Sequence, residues 1–472
     1  MNYKEALAYL YSLSDFERGG PYNHAPEENL PREARLLAAL GNPQQRYSCT
    51  LIAGTKGKGS TAAYIERVLR EAGLRTGLYT QPDLHTFRER MRVNGHLISE
   101  QEMAELVTEL RMVVERIEQQ REFGPYITYE VATALALLYF ARQQVEHVVL
   151  EVGLGGRLDA TNVTEPLVSV IASISYDHMQ ILGNTLTQIA TEKAGIVKPG
   201  GVTVTSAQSP EALLAIASAC QARHAELIRV GAQSDDPAQA EVDAGLLPPL
   251  SYRYTLEERA TQYQRFTVVA PQQVYSGLEI PLAGQHQLEN ATLALATLET
   301  LRKKGIAWEE NVLRQGLRNV FWPARMEVVA REPTIVVDGA HNTDSMQKLL
   351  LALRGSFHWH RLFMVLGVAR DKDLAGIVQA LAGVDAVVLT RMANPRAAAI
   401  EQLQALFTQY VPQVQVYTAD TSEAAMELAS GLAKSGDLIC ATGSLYLAAE
   451  VLRWAAARGD QSALAGIEGI DH

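Results

Sequence analysis

Residues 50–61 read Thr-Leu-Ile-Ala-Gly-Thr-Lys-Gly-Lys-Gly-Ser-Thr, the densest concentration of chemistry in this chain of 472 residues. A short apolar run (Leu51, Ile52, Ala53) has the composition of a buried parallel strand. Gly54, Gly57 and Gly59 then alternate with Thr55, Lys56, Lys58 and Ser60, and an apolar period at Ala62, Ile65, Val68 and Leu69 opens a helix. Strand, glycine-rich turn and helix make the setting of a phosphate-binding loop. Glycines let successive N–H groups turn inward on an anion, and the helix N-terminus adds partial positive charge. Lys58 would reach the β- and γ-phosphates of a nucleotide, and the hydroxyls of Ser60 and Thr61 are candidates for Mg²⁺. Gly59 separates Lys58 from Ser60, a departure from the usual Walker spacing. A plain Gly/Lys turn before an ordinary helix is the alternative, and it leaves the agreement of composition and context unexplained. The stretch predicts a nucleotide site.

Other polar clusters close apolar runs downstream. Val148–Val152 predicts a parallel strand that delivers Glu151 at its C-terminal end, ahead of the glycine-rich residues 153–159. Ligands bind at that edge of open α/β sheets, although a strand-edge salt bridge would use the same carboxylate. After the run 168–173, Asp177 and His178 are groups suited to metal or acid–base work, or to a satisfied polar turn. Lys193 sits in a helical pattern over 191–200 that a Pro199-Gly200 break ends, and alone it reads as a surface lysine. In the last third, runs at 334–337, 362–366, 386–389 and 438–441 end near Asp338-Gly339-Ala340-His341-Asn342, Arg370–Asp373 and Thr442-Gly443-Ser444-Leu445-Tyr446.

The elements that must position these groups alternate between strand and helix. Residues 1–20 and 34–40 have helical patterns, with turns expected at Gly19-Gly20-Pro21 and Gly41-Asn42-Pro43. Gly77–Leu84 predicts a strand with a polar end, and Asn94-Gly95 a hairpin turn. Residues 128–140 are nearly all apolar, which predicts a helix buried against the sheet. Residues 231–283 predict an antiparallel excursion at the sheet edge, and a helix is expected over 291–301. The helical text stops at Phe321-Trp322-Pro323-Ala324-Arg325. The predicted fold is therefore α/β in two domains. An N-terminal phosphate-loop domain over 1–320 has a mostly parallel sheet, and a Rossmann-like domain spans 325–472.

Composition bounds the function. Lys and Arg number 42 against 53 Asp and Glu, a net charge of −11 that argues against a general nucleic-acid or anionic-membrane surface. The three cysteines (Cys49, Cys220, Cys440) are far apart, fit a reducing cytoplasm and suit buried filler positions. No signal pattern opens the chain and no apolar run approaches the ~18 residues of a membrane helix. No coiled-coil stretch appears, which points to a monomer.

Together and in order, the clusters resemble the folylpolyglutamate synthase/dihydrofolate synthase family of the Mur-ligase superfamily. The matching stretches are 54–61, 79–94, 151–162, 177–183, 192–200, 284–291, 322–327, 338–342 and 442–446. The resemblance implies an ATP-dependent ligase that joins L-glutamate to a reduced folate or dihydropteroate carboxylate. Transfer of the γ-phosphoryl group makes an acyl phosphate, which the glutamate amine then attacks. It implies ATP and Mg²⁺ as cofactors, with Ser60, Glu151 and His178 as metal ligands. Gln81 stands where the family has a metal-binding serine. Lys193 matches a lysine that is carbamoylated in the family. Asn290, Arg325 and Asp338 match nucleotide contacts. His341 matches a histidine near the transferring phosphate and the incoming amino acid, and Ser444 and Tyr446 shape the glutamate and nucleotide side of the cleft, Ser444 among the nucleotide-binding residues. Tyr129-Glu130 resembles the Phe-Glu pair beside the pterin pocket, and Thr343 follows Asn342 where proline is common. A Mur-like ligase for another carboxylate and a non-catalytic ATP-binding homologue are the alternatives. Gly59 and residues 154–162 speak against the first, and the set Lys58, Glu151, His178, Lys193 and His341 against the second.

Overall fold

The computed structural model describes residues 1–14, 26–234, 236–260 and 262–459. The turn expected at Gly19-Gly20-Pro21 lies outside the described residues. The first eleven strands are β1 (Ser48–Ala53), β2 (Thr76–Tyr79), β3 (Met91–Val93), β4 (His96–Leu97), β5 (His147–Glu151), β6 (Val168–Ile171), β7 (Val202–Thr205), β8 (Glu226–Ala232), β9 (Leu250–Arg259), β10 (Gln264–Val269) and β11 (Val274–Ile280). They form one sheet in the order β11-β10-β9-β8-β7-β6-β1-β5-β2-β3-β4. Every pair from β9 to β2 is parallel, and the two ends, β9-β10-β11 and β2-β3-β4, are antiparallel. The antiparallel excursion expected over 231–283 is present, and the parallel strand β8 takes its first residues. The Asn94-Gly95 turn joins β3 to β4 with φ values of 50° and 81°, both in the left-handed region that a tight hairpin requires.

Strand periodicity explains the layers. Leu51, Ala53, Val148 and Leu150 face a core shared with the helices Tyr3–Ser12, Glu100–Glu118 and Thr128–Arg142. Ile52, Leu78, Val149 and Val170 face the opposite core, covered by the helices Lys58–Glu71, Gln285–Lys303 and Glu310–Arg318. Successive side chains of a strand point to opposite faces, so strands covered on both sides are apolar throughout. Each fully buried Leu, Ile or Val contributes roughly 1.5–3 kcal/mol.

The helix expected over 291–301 begins at Gln285, so Asn290 lies inside it rather than before it. The helical pattern expected over 191–200 stops earlier. A helix covers Leu186–Lys193 and a 3-10 turn follows at Ala194–Ile196, which makes Lys193 the last helical residue. The three cysteines are free and buried.

Six further strands make a second sheet: β12 (Glu327–Arg331), β13 (Thr334–Val337), β14 (Leu362–Leu366), β15 (Ala386–Thr390), β16 (Gln415–Ala419) and β17 (Leu438–Thr442). Their order is β12-β13-β17-β14-β15-β16, parallel except for the edge strand β12. Val336 and Met364 face one core while Val337 and Val365 face the other, the same two-sided burial as in the first sheet. Among the described residues, no helix is long and apolar enough to cross a membrane.

Candidate active site

The phosphate loop leaves β1 at Gly54 and enters the helix Lys58–Glu71 at Gly57, whose φ of 90° suits glycine. No side chain caps this helix, so its first N–H groups are left for an anion. A Cβ at Gly57 would lie 2.3 Å from Asn290 Oδ1, so glycine also admits the neighbouring helix. Asn290 Nδ2 donates to Gln287 Oε1 (3.1 Å), and Gln287 Nε2 donates to Ser60 Oγ (3.3 Å). The helix Gln285–Lys303 thus braces the loop from behind. Gly59 lies under Trp322, where an added Cβ would sit 3.0 Å from the indole. Thr55 faces away from the loop: its hydroxyl donates to Ser175 O and accepts from Ser175 N, both at 3.1 Å. The Thr61 hydroxyl is buried without a partner among the described residues.

Two lysines converge on one carbonyl. Lys193 Nζ donates to Gly54 O at 2.9 Å, and Lys58 Nζ to the same oxygen at 3.2 Å. Lys193 is 5% exposed, against the surface position its sequence context suggests, because the sheet and the loop close over the end of its helix. Burial and then Lys58 push its pKa down from the usual lysine range to about 7. Lys58 also stands 3.8 Å from Glu151 at the end of β5. The backbone N–H of Gln81 donates to the other Glu151 oxygen at 3.3 Å. Gln81 Oε1 is buried with no donor on it among the described residues. A carboxylate and an unused carbonyl oxygen from residues lining one cleft are hard donors, and Mg²⁺ fits such donors. Among the described residues no three His, Cys, Asp or Glu side chains form a metal cage, so a cation here would need phosphate and water among its ligands. His178 stands on the neighbouring turn, with φ 49°, a side chain 42% exposed and its Nε2 3.8 Å from Asp177.

Across the cleft, the second sheet contributes its strand ends. His341 Nδ1 pairs with Gly339 O at 2.8 Å, which makes it the protonated nitrogen and leaves Nε2 as an acceptor. Lys56 Nζ occupies that acceptor at 2.9 Å and also reaches Asp177 at 3.0 Å. Lys56, then burial, hold His341 well below the usual imidazole range, so it is neutral. Asp338 accepts from Met326 N (2.9 Å) and Ala340 N (2.8 Å), which fastens the junction beside Arg325. Arg325 reaches its neighbour Ala324 O at 2.9 Å. Ser444 caps the helix Leu445–Ala456 through Leu447 N (3.0 Å), with Met392 Sδ 2.9 Å from its hydroxyl. Residues from both units, among them Gly59, Gln81, Glu151, Trp322, Arg325 and Leu445, line one cleft. Tyr129 OH donates to Asp159 (2.8 Å), and Glu130 is held by the buried Arg32.

Comparison with known proteins decides the family. Residues 52–298 match the Mur ligase middle domain and residues 324–445 the glutamate ligase domain of Mur ligases. The chain is 36% identical over 452 residues to the dihydrofolate synthase/folylpolyglutamate synthase of Bacillus subtilis, covering 95% of this chain and 98% of that one. The chain belongs to the folylpolyglutamate synthase/dihydrofolate synthase family. Among solved structures it resembles the Mycobacterium tuberculosis folylpolyglutamate synthase complexed with ADP (TM-score 0.85, 31% identity, 96% and 98% of the two chains). It also resembles an Escherichia coli family member in complex with DHPP and ADP (TM-score 0.81, 28% identity, 97% and 98%). The two-sheet α/β architecture expected for this ligase family is therefore the one observed.

Some site contacts escaped the sequence although their residues were in view. Gln287 lies one helical turn before Asn290, and that i, i+3 spacing was a usable signal. Lys56, Asp177 and Lys372 meet only through the tertiary fold, with Lys372 Nζ 3.6 Å from Asp177.

Proposed function

We propose that this chain is an ATP-dependent ligase that joins L-glutamate to the carboxylate of a reduced folate or of dihydropteroate through an acyl phosphate. The observation that carries the reading is the uncapped helix at Lys58, ringed by Lys58 and Lys193 and faced by His341 from the other unit. The ADP complexes of the relatives support a nucleotide at that helix. Residues 1–320 would carry the nucleotide and the folate, and residues 325–472 the glutamate, with closure about 319–325.

A carboxylate is a poor acyl donor because oxide is a poor leaving group. The acceptor carboxylate attacks the γ-phosphorus, ADP departs, and the acyl phosphate forms. The glutamate amine then attacks the acyl carbon, phosphate leaves and the amine loses a proton. The protein supplies position and charge for these steps. Backbone N–H groups of Gly54, Gly57, Gly59 and the helix start hold phosphate oxygens, and Lys58 reaches the β- and γ-phosphates, whereas the Thr55 N–H, expected to join them, is taken by Ser173 O at 2.8 Å. Asn290, Arg325 and Asp338 frame the nucleotide. Mg²⁺ supplies charge neutralisation at the phosphates, and Ser60, Glu151, Gln81 and His178 would hold it. Neutral His341 stands ready beside the amine and phosphate. The lowered pKa of Lys193 favours its neutral amine, the form that takes up CO₂ as a carbamate with loss of a proton, which would put an anion beside the phosphate loop to support the cation.

Glutamate needs counter-charges on the second unit. A cavity at the C-terminal ends of β15 and β16 is lined by Arg391, Met392, Asn394, Thr421, Glu450 and Arg453. Its wall Met392 touches Ser444, so the cavity adjoins the residue matched to the glutamate side. Two arginines and a carboxylate suit an amino-acid dicarboxylate. The protein would act as a cytoplasmic monomer on small molecules, without nucleic acid or membrane.

The test is ADP and phosphate release with Mg-ATP and L-glutamate, offering 7,8-dihydropteroate and tetrahydrofolate separately. Turnover with both defines a bifunctional enzyme, and turnover with one assigns its step. No acceptor-dependent ADP with either, in protein that binds ATP, refutes the folate reading.

A further inference from the structure

Lys56 belongs to the phosphate loop, yet its ammonium is spent on a carboxylate of its own unit and an imidazole of the other. Nζ lies 2.9 Å from His341 Nε2 on the second unit and 3.0 Å from Asp177 Oδ2 on the turn after β6. Asp177 is also approached by Lys372 Nζ at 3.6 Å, from the turn after β14, and by Asn342 Nδ2 at 3.4 Å. One carboxylate is thus shared by two cations, and it stays neutralised by Lys372 if Lys56 departs. Lys56, Lys58 and Lys372 face two carboxylates here, Asp177 and Glu151, so the cluster carries surplus positive charge that a nucleotide's phosphates would satisfy. Lys56 is also the best placed of the three to change partner. It sits on the loop that takes the phosphate, and one of its two partners is a neutral imidazole.

We propose that Lys56 is a positioning residue that couples the phosphate loop to His341. In the nucleotide-free enzyme it holds the imidazole by Nε2, and phosphate in the loop draws it away and frees that nitrogen. The inference rests on the ligase reading above. It explains how the half that binds nucleotide governs a histidine of the half that binds the amine. The contact blocks the one His341 nitrogen that has a lone pair, so amine chemistry before phosphate arrives is suppressed.

The test is diethylpyrocarbonate labelling of His341, followed peptide by peptide by mass spectrometry in wild type, Lys56→Met and Lys56→Arg. Each is measured without nucleotide and with a saturating non-hydrolysable ATP analogue and Mg²⁺, and analogue binding is titrated in the same samples. In wild type, His341 should label slowly alone and at a rate changed about fivefold or more by the analogue. Lys56→Met should label fast in both states while still binding the analogue through Lys58, and Lys56→Arg should restore the response. A role confined to folding would move all histidines together. An identical nucleotide response in Lys56→Met, or none in wild type that binds the analogue, would overturn the coupling. Failure of wild type to bind the analogue would instead strike the nucleotide reading itself, while the difference between wild type and Lys56→Met without nucleotide would still report the contact.

Discussion

The two faces of the cleft are built differently. On the first unit the phosphate loop is braced by its own neighbours: Asn290 and Gln287 support Gly57 and Ser60, and Thr55 ties the loop to the turn after β6. On the second unit local bonds fix two of the side chains and a third reaches across the cleft. Asp338 and Ser444 use their side-chain oxygens on backbone N–H groups, and His341 owes one of its two ring contacts to Lys56 of the opposite unit. On the proposed reading the nucleotide side is preformed, and on the amine side His341 takes a partner across the junction. Preorganised donors need no rearrangement when charge develops, which suits phosphate binding, whereas a cross-domain contact can report what has bound.

Substitutions can break this contrast, and the largest effect is expected at Lys193. Lys193→Ala should lower turnover by about 10²–10³-fold while leaving ADP affinity within about threefold, since the lysine acts on transferring phosphate rather than on ground-state binding. Single-turnover ADP formation with a parallel ADP titration measures both, and unchanged turnover would remove Lys193 from the chemistry. Its modification has a pH signature. An ordinary lysine is protonated until about pH 10, whereas at a pKa of about 7 the reactive neutral amine grows through neutrality. A ¹³C carbamate resonance in labelled bicarbonate should therefore rise from about pH 6 to about pH 8 and be missing from Lys193→Ala.

A smaller loss is expected at the braced loop. Gly57→Ala adds a Cβ against Asn290 at a φ of 90°, and a strain of about 1–2 kcal/mol would weaken nucleotide binding roughly tenfold. Asn290→Ala in the same chain makes room without relieving the backbone, so recovery should be partial. Full recovery would show that contact, not conformation, decides. On the other face, Ser444→Ala removes the cap of the helix Leu445–Ala456 and should cost about 0.5–2 kcal/mol of stability, visible in thermal unfolding. Least of all, Gln81→Ser should keep or modestly tighten the Mg²⁺ dependence of turnover. An unmoved Mg²⁺ titration would mean that the Gln81 oxygen does not face the cation.

The same contrast governs what the sequence could tell. The loop was legible because strand, glycines and helix are contiguous, and Glu151 was legible as a carboxylate closing an apolar strand. The helix Gln285–Lys303 was placed too late because Gly284 begins it without a capping side chain and its first residues are polar. Lys193 looked like a surface residue because its burial comes from β1 and its loop, far away in the chain. The Lys56–His341 contact joins residues 285 positions apart, and no local pattern announces it. Family resemblance placed His341, Arg325 and Asp338 at the site. It did not show that Asp338 spends its oxygens on Met326 and Ala340.

The acyl phosphate is the step on which both faces must cooperate, and oxygen tracing reaches it directly. The folate acceptor would be supplied with ¹⁸O in its reacting carboxylate, together with Mg-ATP and L-glutamate, and the released phosphate examined by ³¹P NMR. One ¹⁸O transferred to phosphate for each amide formed is the expected result. Amide formation with unlabelled phosphate would contradict an acyl-phosphate ligase.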